Sequence, residues 1–381
     1  MKIAMIGHKR IPSREGGVEV VVEALSVGMA ARGHSVTVYN RSGHHIAGKA
    51  FDRPKGQHWY QGVRICQVPA IDRRGLSALT GSLFATIRAL FGRYDCIHYH
   101  AEGPCAMLWI PHLFRIGTVA TIHGLDWQRS KWNRFASWCL RQGEKIAAKY
   151  ADQIIVLSEN TRRYFKETYG RETVLIPNGI NSLSKRAAHI ITEHWGLKKD
   201  DYLLYLGRIV PEKGVHYLID AFQKVRTEKK LVIAGSPSDT ATYYTQIQAA
   251  AEQDDRILFT GFVQGSLLEE LYSNAYLYCL PSDLEGMPLS LLEAMSYGNC
   301  CLTSDIAECA DLVGDHGYCF PKGDVERLRE TLQLLCDQPE LVQRCKNTAD
   351  EPLRSLYSWD DVVEKTLSLY RTVRNDGVPI S

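Results

Sequence analysis

No stretch of this sequence is both long and apolar enough to cross a bilayer, which takes roughly 18 to 20 consecutive apolar residues in a helix. The N-terminal MKIAMIGHKR turns basic after an apolar run of only four residues, so neither a signal peptide nor a membrane anchor is expected there. Charge of one sign is not in excess: 45 Lys and Arg face 43 Asp and Glu, for a formal net charge of +2. That balance removes any global reason to expect a nucleic-acid partner. Asp-x-Asp is absent, and no His, Cys, Asp or Glu cluster has ligand spacing, so no bound metal or other cofactor is expected. There is no low-complexity segment and no short-period repeat. The eleven cysteines fall mostly inside apolar runs, as at Cys66, Cys96, Cys279 and Cys336. Reduced thiols in a cytosol are therefore expected, rather than a disulfide framework.

What the chain does have is length and apolar content. At 381 residues and 45% hydrophobic, it holds enough for two cores and is too long for one ordinary domain. Short β-rich runs alternate with helical stretches: KIAMIG, SVTVYN, CIHYHA, TVATIHG and DQIIVLS read as strands, and Val18 to Arg32 as a helix stopped by Gly33. Such fully apolar runs between helices indicate a parallel sheet covered on both faces. A polar stretch with little periodicity follows Ile176–Ile180 and runs to about Lys199, where the same pattern restarts at YLLYLG. LVIAGS, ILFTGFV, AYLYCLPS and CCLTSD continue it, with helices over 214–227 and 288–297. The reading is an α/β protein of two Rossmann-like domains, 1–182 and 198–355, and a last segment, 356–381, whose helix covers about Trp359 to Arg374. Polar or glycine residues (His100, His123, Ser158, Gly207-Arg208, Gly235-Ser236, Ser282) fall where the strands end. Ligands of open parallel sheets bind outside the carboxyl ends of the strands, and two such sheets facing each other would frame a cleft.

The sharpest local signal is the run from Ser282 to Leu289, SDLEGMPL, leading into a helix that holds Glu293. Pro288 suits a first helical turn, and the amides after it would point towards an anion. Glu285 in the loop and Glu293 just over one turn inside the helix can accept from hydroxyls on either side of a phosphate. The second signal is Gly207 to Gly214, GRIVPEKG, between a strand and a helix. Arg208 supplies a fork of donors and Lys213 a point charge, together enough to balance a charge of about −2. Near the N-terminus, Gly16-Gly17 opens a helix and could let a ligand approach the backbone, although a plain turn explains such a pair equally well. His123 sits at a strand mouth, where an imidazole is as easily a packed or capping group.

In combination, Gly16-Gly17, His123-Gly124, SEN (158–160), PNGI (177–180), Gly207-Arg208 with Lys213-Gly214, and Glu285-x7-Glu293 resemble the retaining GT-B glycosyltransferases of family 4, of the bacterial surface-polysaccharide type. The resemblance runs from Lys2 to about Tyr370. It implies two facing Rossmann-like domains with the last helix crossing back to the first, the N-terminal domain receiving the acceptor and the C-terminal one the donor. It further implies Arg208 and Lys213 on the donor diphosphate and Glu293 on the ribose. Glu285 and the backbone of Gly286, Met287, Pro288 and Leu289 would hold the sugar, Gly17 beside Gly16 would approach the phosphate, and His123 would lie beside the anomeric carbon. Gly261, Phe262 and Val263 fit a base-binding loop without naming the base; a UDP-sugar is favoured. Retention in such enzymes is usually ascribed to front-face attack, with the leaving phosphate taking the acceptor's proton, and Glu285 is not assigned as a nucleophile.

Trp127 to Lys149 carries six Lys or Arg against one acid, with Trp132, Phe135, Trp138 and Cys139 at helical spacing. It is either a docked helix with a solvated basic face or a surface that meets anionic lipid and a lipid-linked glycan acceptor at the inner face of the plasma membrane. The alternatives to sugar transfer are a GT-B sugar-nucleotide 2-epimerase and a non-catalytic sugar-nucleotide-binding protein.

Overall fold

The structure is a computed structural model describing residues 1–43, 56, 58–71, 76–129, 132–180, 183–237, 241–348 and 357–375. The chain divides into two compact units, Met1–Gly179 with Tyr357–Ser381, and Ile180–Leu356. Positions 182, 355 and 356, set as limits from the sequence, lie outside the described residues, as do Ser130 and Lys131 of the basic aromatic stretch.

In the first unit the order is β1 (Lys2–Ile6), α1 (Gly17–Ala31), β2 (Ser35–Arg41), β3 (Trp59–Tyr60), β4 (Val63–Val68), α2 (Leu76–Leu90), β5 (Cys96–His100), α3 (Glu102–Cys105), α4 (Trp109–Leu113), β6 (Thr118–Ile122), α5 (Arg134–Tyr150), β7 (Gln153–Val156), α6 (Glu159–Tyr169) and β8 (Val174–Leu175). The sheet runs β3-β4-β2-β1-β5-β6-β7-β8 and is parallel except at β3. Ile3 pairs with Val36 on one side and Cys96 on the other, so the strand order reverses between β1 and β5. At such a reversal the connecting loops diverge to opposite faces and leave a crevice at the carboxyl ends. Helices α2, α3, α5 and α6 share one buried cluster against the sheet, through Ala85, Cys105, Ala147 and Phe165.

The second unit follows as α7 (Ile190–Trp195), β9 (Tyr202–Leu206), α8 (Val215–Phe222), β10 (Lys230–Ala234), α9 (Ala241–Ala251), β11 (Ile257–Gly261), α10 (Ser266–Asn274), β12 (Leu277–Leu280), α11 (Leu289–Ser296), β13 (Cys301–Ser304), α12 (Ala307–Val313), β14 (Gly317–Phe320), α13 (Val325–Asp337) and α14 (Pro339–Thr348). Its sheet, β11-β10-β9-β12-β13-β14, is parallel and reverses between β9 and β12. The last helix, α15 (Trp359–Asn375), belongs to the first unit. Arg32 at the end of α1 forks to Asp360 and Glu364 of α15, at 2.7 Å each.

Several elements depart from the sequence reading. Strands β3, β4, β8 and β14 escape it because they are short or lie towards sheet edges, where exposed residues such as Arg64 and Cys319 interrupt the apolar run. The segment read as aperiodic contains α7, whose first amides are taken by Glu270: its carboxylate accepts from His189 N at 3.0 Å and Ile191 N at 3.1 Å. Helix α8 stops at Phe222 rather than Thr227. Pro288 does not sit in the first helical turn; it precedes α11 in an extended conformation, φ −73° and ψ 105°. Trp132 is not on the helix with Phe135 and Trp138, because α5 begins at Arg134 behind an Asn133 cap, and its indole nitrogen is buried.

Candidate active site

Two pairs of strand ends collect the polar side chains. In the second unit, β9 ends at Leu206 and the chain stays sewn to β10, through Gly207 N to Ala234 O at 3.0 Å and Ile209 N to Ser236 O at 3.1 Å. Gly235 is required there, with φ +151° and a Cβ that would lie 1.8 Å from Gly207 O. A single tight turn over Pro211–Lys213 ends at Gly214, whose φ of +66° and whose approach to Pro281 O (1.9 Å from a built Cβ) likewise demand glycine. Asp283 N donates to Glu212 O at 2.9 Å. The loops after β9 and β12 are thus stitched together, one on each side of the strand-order reversal.

That stitching brings Lys213 to Glu285. Nζ lies 2.5 Å from Oε1, and the side chains are only 14% and 8% exposed. The Tyr205 hydroxyl donates to Arg208 O at 2.8 Å; burial first, then the neighbouring Glu285 charge, pushes its pKa well up. Beyond the loop, Pro288 caps α11, whose first amides have no acceptor within the helix. Glu293 lies in its second turn and accepts from the Tyr272 hydroxyl at 3.2 Å. Gly261 ends β11 with φ +72° and its carbonyl accepts from Gly235 N at 2.8 Å. The Gly261–Val263 turn therefore neighbours the Gly207 loop. Met287 and Val263 are buried, while Gly286, Leu289 and Phe262 are half-buried.

In the first unit, Gly7 leaves β1 with φ +120°, and a Cβ there would meet His100 O at 2.2 Å. Asn40 organises the loop that follows: its Oδ1 accepts from Ile11 N at 3.1 Å and its Nδ2 donates to Ile11 O at 3.0 Å. The same Oδ1 lies 2.9 Å from His8 Nε2, so that nitrogen carries the proton. Gly16 is extended and Gly17 opens α1. Glu19, in the first turn of α1, accepts from Lys9 N at 2.9 Å. Burial opposes its ionisation, but the Lys9 charge and amide, with Arg41, hold its pKa below the usual range.

His123, just past β6, faces His100, with Nε2 at 3.1 Å from His100 Nδ1. The His98 and His100 rings lie 4.1 Å apart. His98 bridges Thr121 Oγ1 at 2.7 Å and the Tyr370 hydroxyl of α15 at 2.5 Å. Burial lowers His8 and His123 to about 4 and His98 to about 3, and holds His100 well down. The four rings are therefore neutral near pH 7.

Residues 190–351 match the family described as "Glycosyl transferases group 1", and residues 15–182 match "Glycosyltransferase Family 4". The chain belongs to the family 4 glycosyltransferases. It is 27% identical to the phosphatidyl-myo-inositol mannosyltransferase of Mycobacterium leprae, over 95% of this chain and 94% of that one. Among solved structures it is similar to sucrose-phosphate synthase from Thermosynechococcus elongatus, with a TM-score of 0.83 and 22% identity over 98% of both chains. Anabaena HepE in complex with UDP-glucose gives a TM-score of 0.78 and 17% identity over 97% of this chain and 100% of that one. The fold is GT-B.

For this glycosyltransferase the second unit carries Arg208, Lys213, Glu285, Gly286, Met287, Pro288, Phe262 and Val263 on loops after its strands, Gly261 at the end of β11, and Leu289 and Glu293 on α11. The first unit carries Gly16 and Gly17 at the start of α1 and His123 just past β6. Sequence reasoning missed Asn40, Glu19, His98 and Tyr370. Only His98 left a signal: CIHYH puts His98 and His100 on one face of a strand, because side chains alternate.

The buried histidines predict a stability profile. A histidine whose folded pKa lies below the unfolded value near 6.5 contributes stability that is fully present above 6.5 and lost as pH falls towards the folded value. Between pH 6.5 and 4, His8 and His98, at about 4 and about 3, should each remove roughly 3 kcal/mol. The thermal midpoint should fall steeply from pH 6.5 to 4, and His98→Asn should flatten the fall. An unchanged slope in that variant would refute the account.

Proposed function

We propose that the enzyme transfers a hexose or deoxyhexose, with retained anomeric configuration, from a nucleoside diphosphate sugar to a lipid-linked glycan in cell-surface polysaccharide synthesis. A UDP-sugar is the favoured donor, no metal takes part, and the work is done in the cytoplasm at the inner face of the plasma membrane. The carrying observation is the Lys213–Glu285 contact at 2.5 Å. A cation suited to a departing phosphate lies beside a carboxylate suited to sugar hydroxyls, so the two side chains could meet neighbouring parts of one sugar phosphate.

In this reading Arg208 and Lys213 hold the diphosphate, and their charges stabilise it as the C1–oxygen bond breaks. The acceptor oxygen attacks C1 from the same face, and its proton passes to the leaving phosphate oxygen. Glu285 and the Gly286–Leu289 backbone hold the sugar, Glu293 the ribose, and the Gly261–Val263 turn the base; Gly16 and Gly17 give the phosphate close backbone approach. His123, kept neutral by burial and held by His100, would serve beside the anomeric carbon as a hydrogen-bonding group rather than a cation. The Mycobacterium leprae relative is named for a phospholipid acceptor, which supports a lipid-linked one here. On α5, Phe135 and Trp138 stack at 6.0 Å with 72% and 57% exposure, which supports membrane contact through Trp127–Lys149.

The test is a thermal-shift screen of nucleotide sugars, since a ligand of the folded state raises its midpoint. Transfer to a lipid-linked acceptor in excess EDTA then follows, with the anomeric product read by NMR. Retained configuration and full activity in EDTA are expected. Inverted product or metal-reversible loss would overturn the mechanism, and nucleotide release without acceptor would point to donor hydrolysis or the epimerase chemistry.

A further inference from the structure

The apolar surface of the first unit is not confined to α5. On α2 and the turn after it, Phe84, Ile87 and Phe91 are 42%, 43% and 84% exposed; on α4 and just beyond, Leu113 and Phe114 are 68% and 63% exposed. Side chains of this size normally leave water on folding, and several left exposed on neighbouring helices mark an interaction surface. The helices that carry them form one layer. Helix α4 touches both α2 and α5, and His112 of α4 packs edge-on against Tyr150 at the end of α5, 5.2 Å between rings.

The charge on that layer has one sign. Arg88, Arg93 and Arg115 are exposed beside the apolar side chains of α2 and α4, and Arg134, Arg141, Lys145 and Lys149 are exposed on α5. No acid is exposed on these three helices or in the 91–94 and 114–117 turns. Glu102 and Glu144 are both buried, and Glu144 accepts from the Tyr164 and Tyr169 hydroxyls. A face that is apolar and uniformly basic is a poor match for itself, because an isologous dimer would set arginine against arginine. It matches a surface that is apolar within and anionic at its boundary.

We propose that α2, α4 and α5 together form a docking face for an anionic lipid bilayer, with Phe91, Leu113 and Phe114 as its inserting edge and Arg88, Arg93 and Arg115 at the headgroups. This rests on the membrane reading above and extends it from one helix to a layer. The two parts differ in chemistry. Basic residues near an anionic surface act through a field that salt screens, whereas buried apolar side chains hold in salt.

The experiment is vesicle co-sedimentation of the full chain on phosphatidylglycerol-containing and pure phosphatidylcholine vesicles, at low and high salt. The variants are Phe91→Ser/Leu113→Ser/Phe114→Ser, and Arg129→Gln/Arg134→Gln/Arg141→Gln. Circular dichroism and thermal midpoint check that each is folded; Phe91→Ser alone is the fallback. Wild type should bind anionic vesicles, keep a part of that binding at high salt, and bind phosphatidylcholine far less. The apolar variant should lose the salt-resistant part and weaken partitioning by about 100-fold. If wild type ignores anionic vesicles, the membrane reading itself falls. If it binds, the Arg129→Gln/Arg134→Gln/Arg141→Gln variant loses binding and the apolar variant does not, only the three-helix face is overturned. A lipid-free dimer abolished by the apolar substitutions would also overturn it, by assigning the face to a second copy.

Discussion

Lys213→Ala is expected to lower kcat by about 100-fold, the consequence of removing roughly 3 kcal/mol of charge stabilisation from a leaving diphosphate. Arg208→Ala should lose a similar amount. The lysine variant carries a second cost that the arginine variant lacks. Glu285 is 8% exposed and ion-paired to Lys213, and removing one partner of a buried pair leaves the other uncompensated. The Lys213→Ala thermal midpoint should therefore drop as well. A Lys213→Ala/Glu285→Ala double variant should recover part of that midpoint while remaining inactive. Steady-state kinetics and calorimetry on the three proteins separate the effects, and near-full turnover in Lys213→Ala would end the diphosphate assignment.

The second large effect is a division of labour between the two glutamates. Glu285→Gln should reduce transfer by about 100-fold, as the loss of a charged acceptor on the reacting sugar would. Its affinity for free nucleoside diphosphate should hold or tighten, because Lys213 no longer has a competing carboxylate 2.5 Å away. Glu293→Ala should do the reverse. A charge-assisted bond to the ribose is worth roughly 1.5–3 kcal/mol, so nucleotide affinity should weaken about 10- to 100-fold by titration calorimetry. Equal losses of nucleotide affinity in both variants would refute the roles given to them.

Much of this architecture is legible in the amino-acid order. The central strands announce themselves because both faces are covered, which makes KIAMI and YLLYL continuous apolar runs. The turn that needs glycine does the same, at Gly214. What stays hidden depends on partners distant in the chain. Helix α7 is capped by Glu270, about eighty residues on, so its own residues read as a polar linker. Edge strands such as β14 lose the apolar signature because one side meets water. In the candidate site, types and spacing mark Arg208, Lys213, Glu285 and Glu293, but no spacing reveals that Lys213 and Glu285 touch. Nor does any local pattern join His98 to a tyrosine 272 positions away.

That last bond has a consequence for biosynthesis. The first unit's α15 fills places that earlier segments leave open: Val363 lies against Gly28, Val373 against Gly117, and Tyr370 closes on His98 at 2.5 Å. Chains fold as they emerge, N-terminal regions first. Here the half that leaves the ribosome first must hold an uncovered groove beside α1 until the whole second unit has been made. The unit begun first is finished last, and a nascent chain halted anywhere before Trp359 presents that groove to chaperones and proteases.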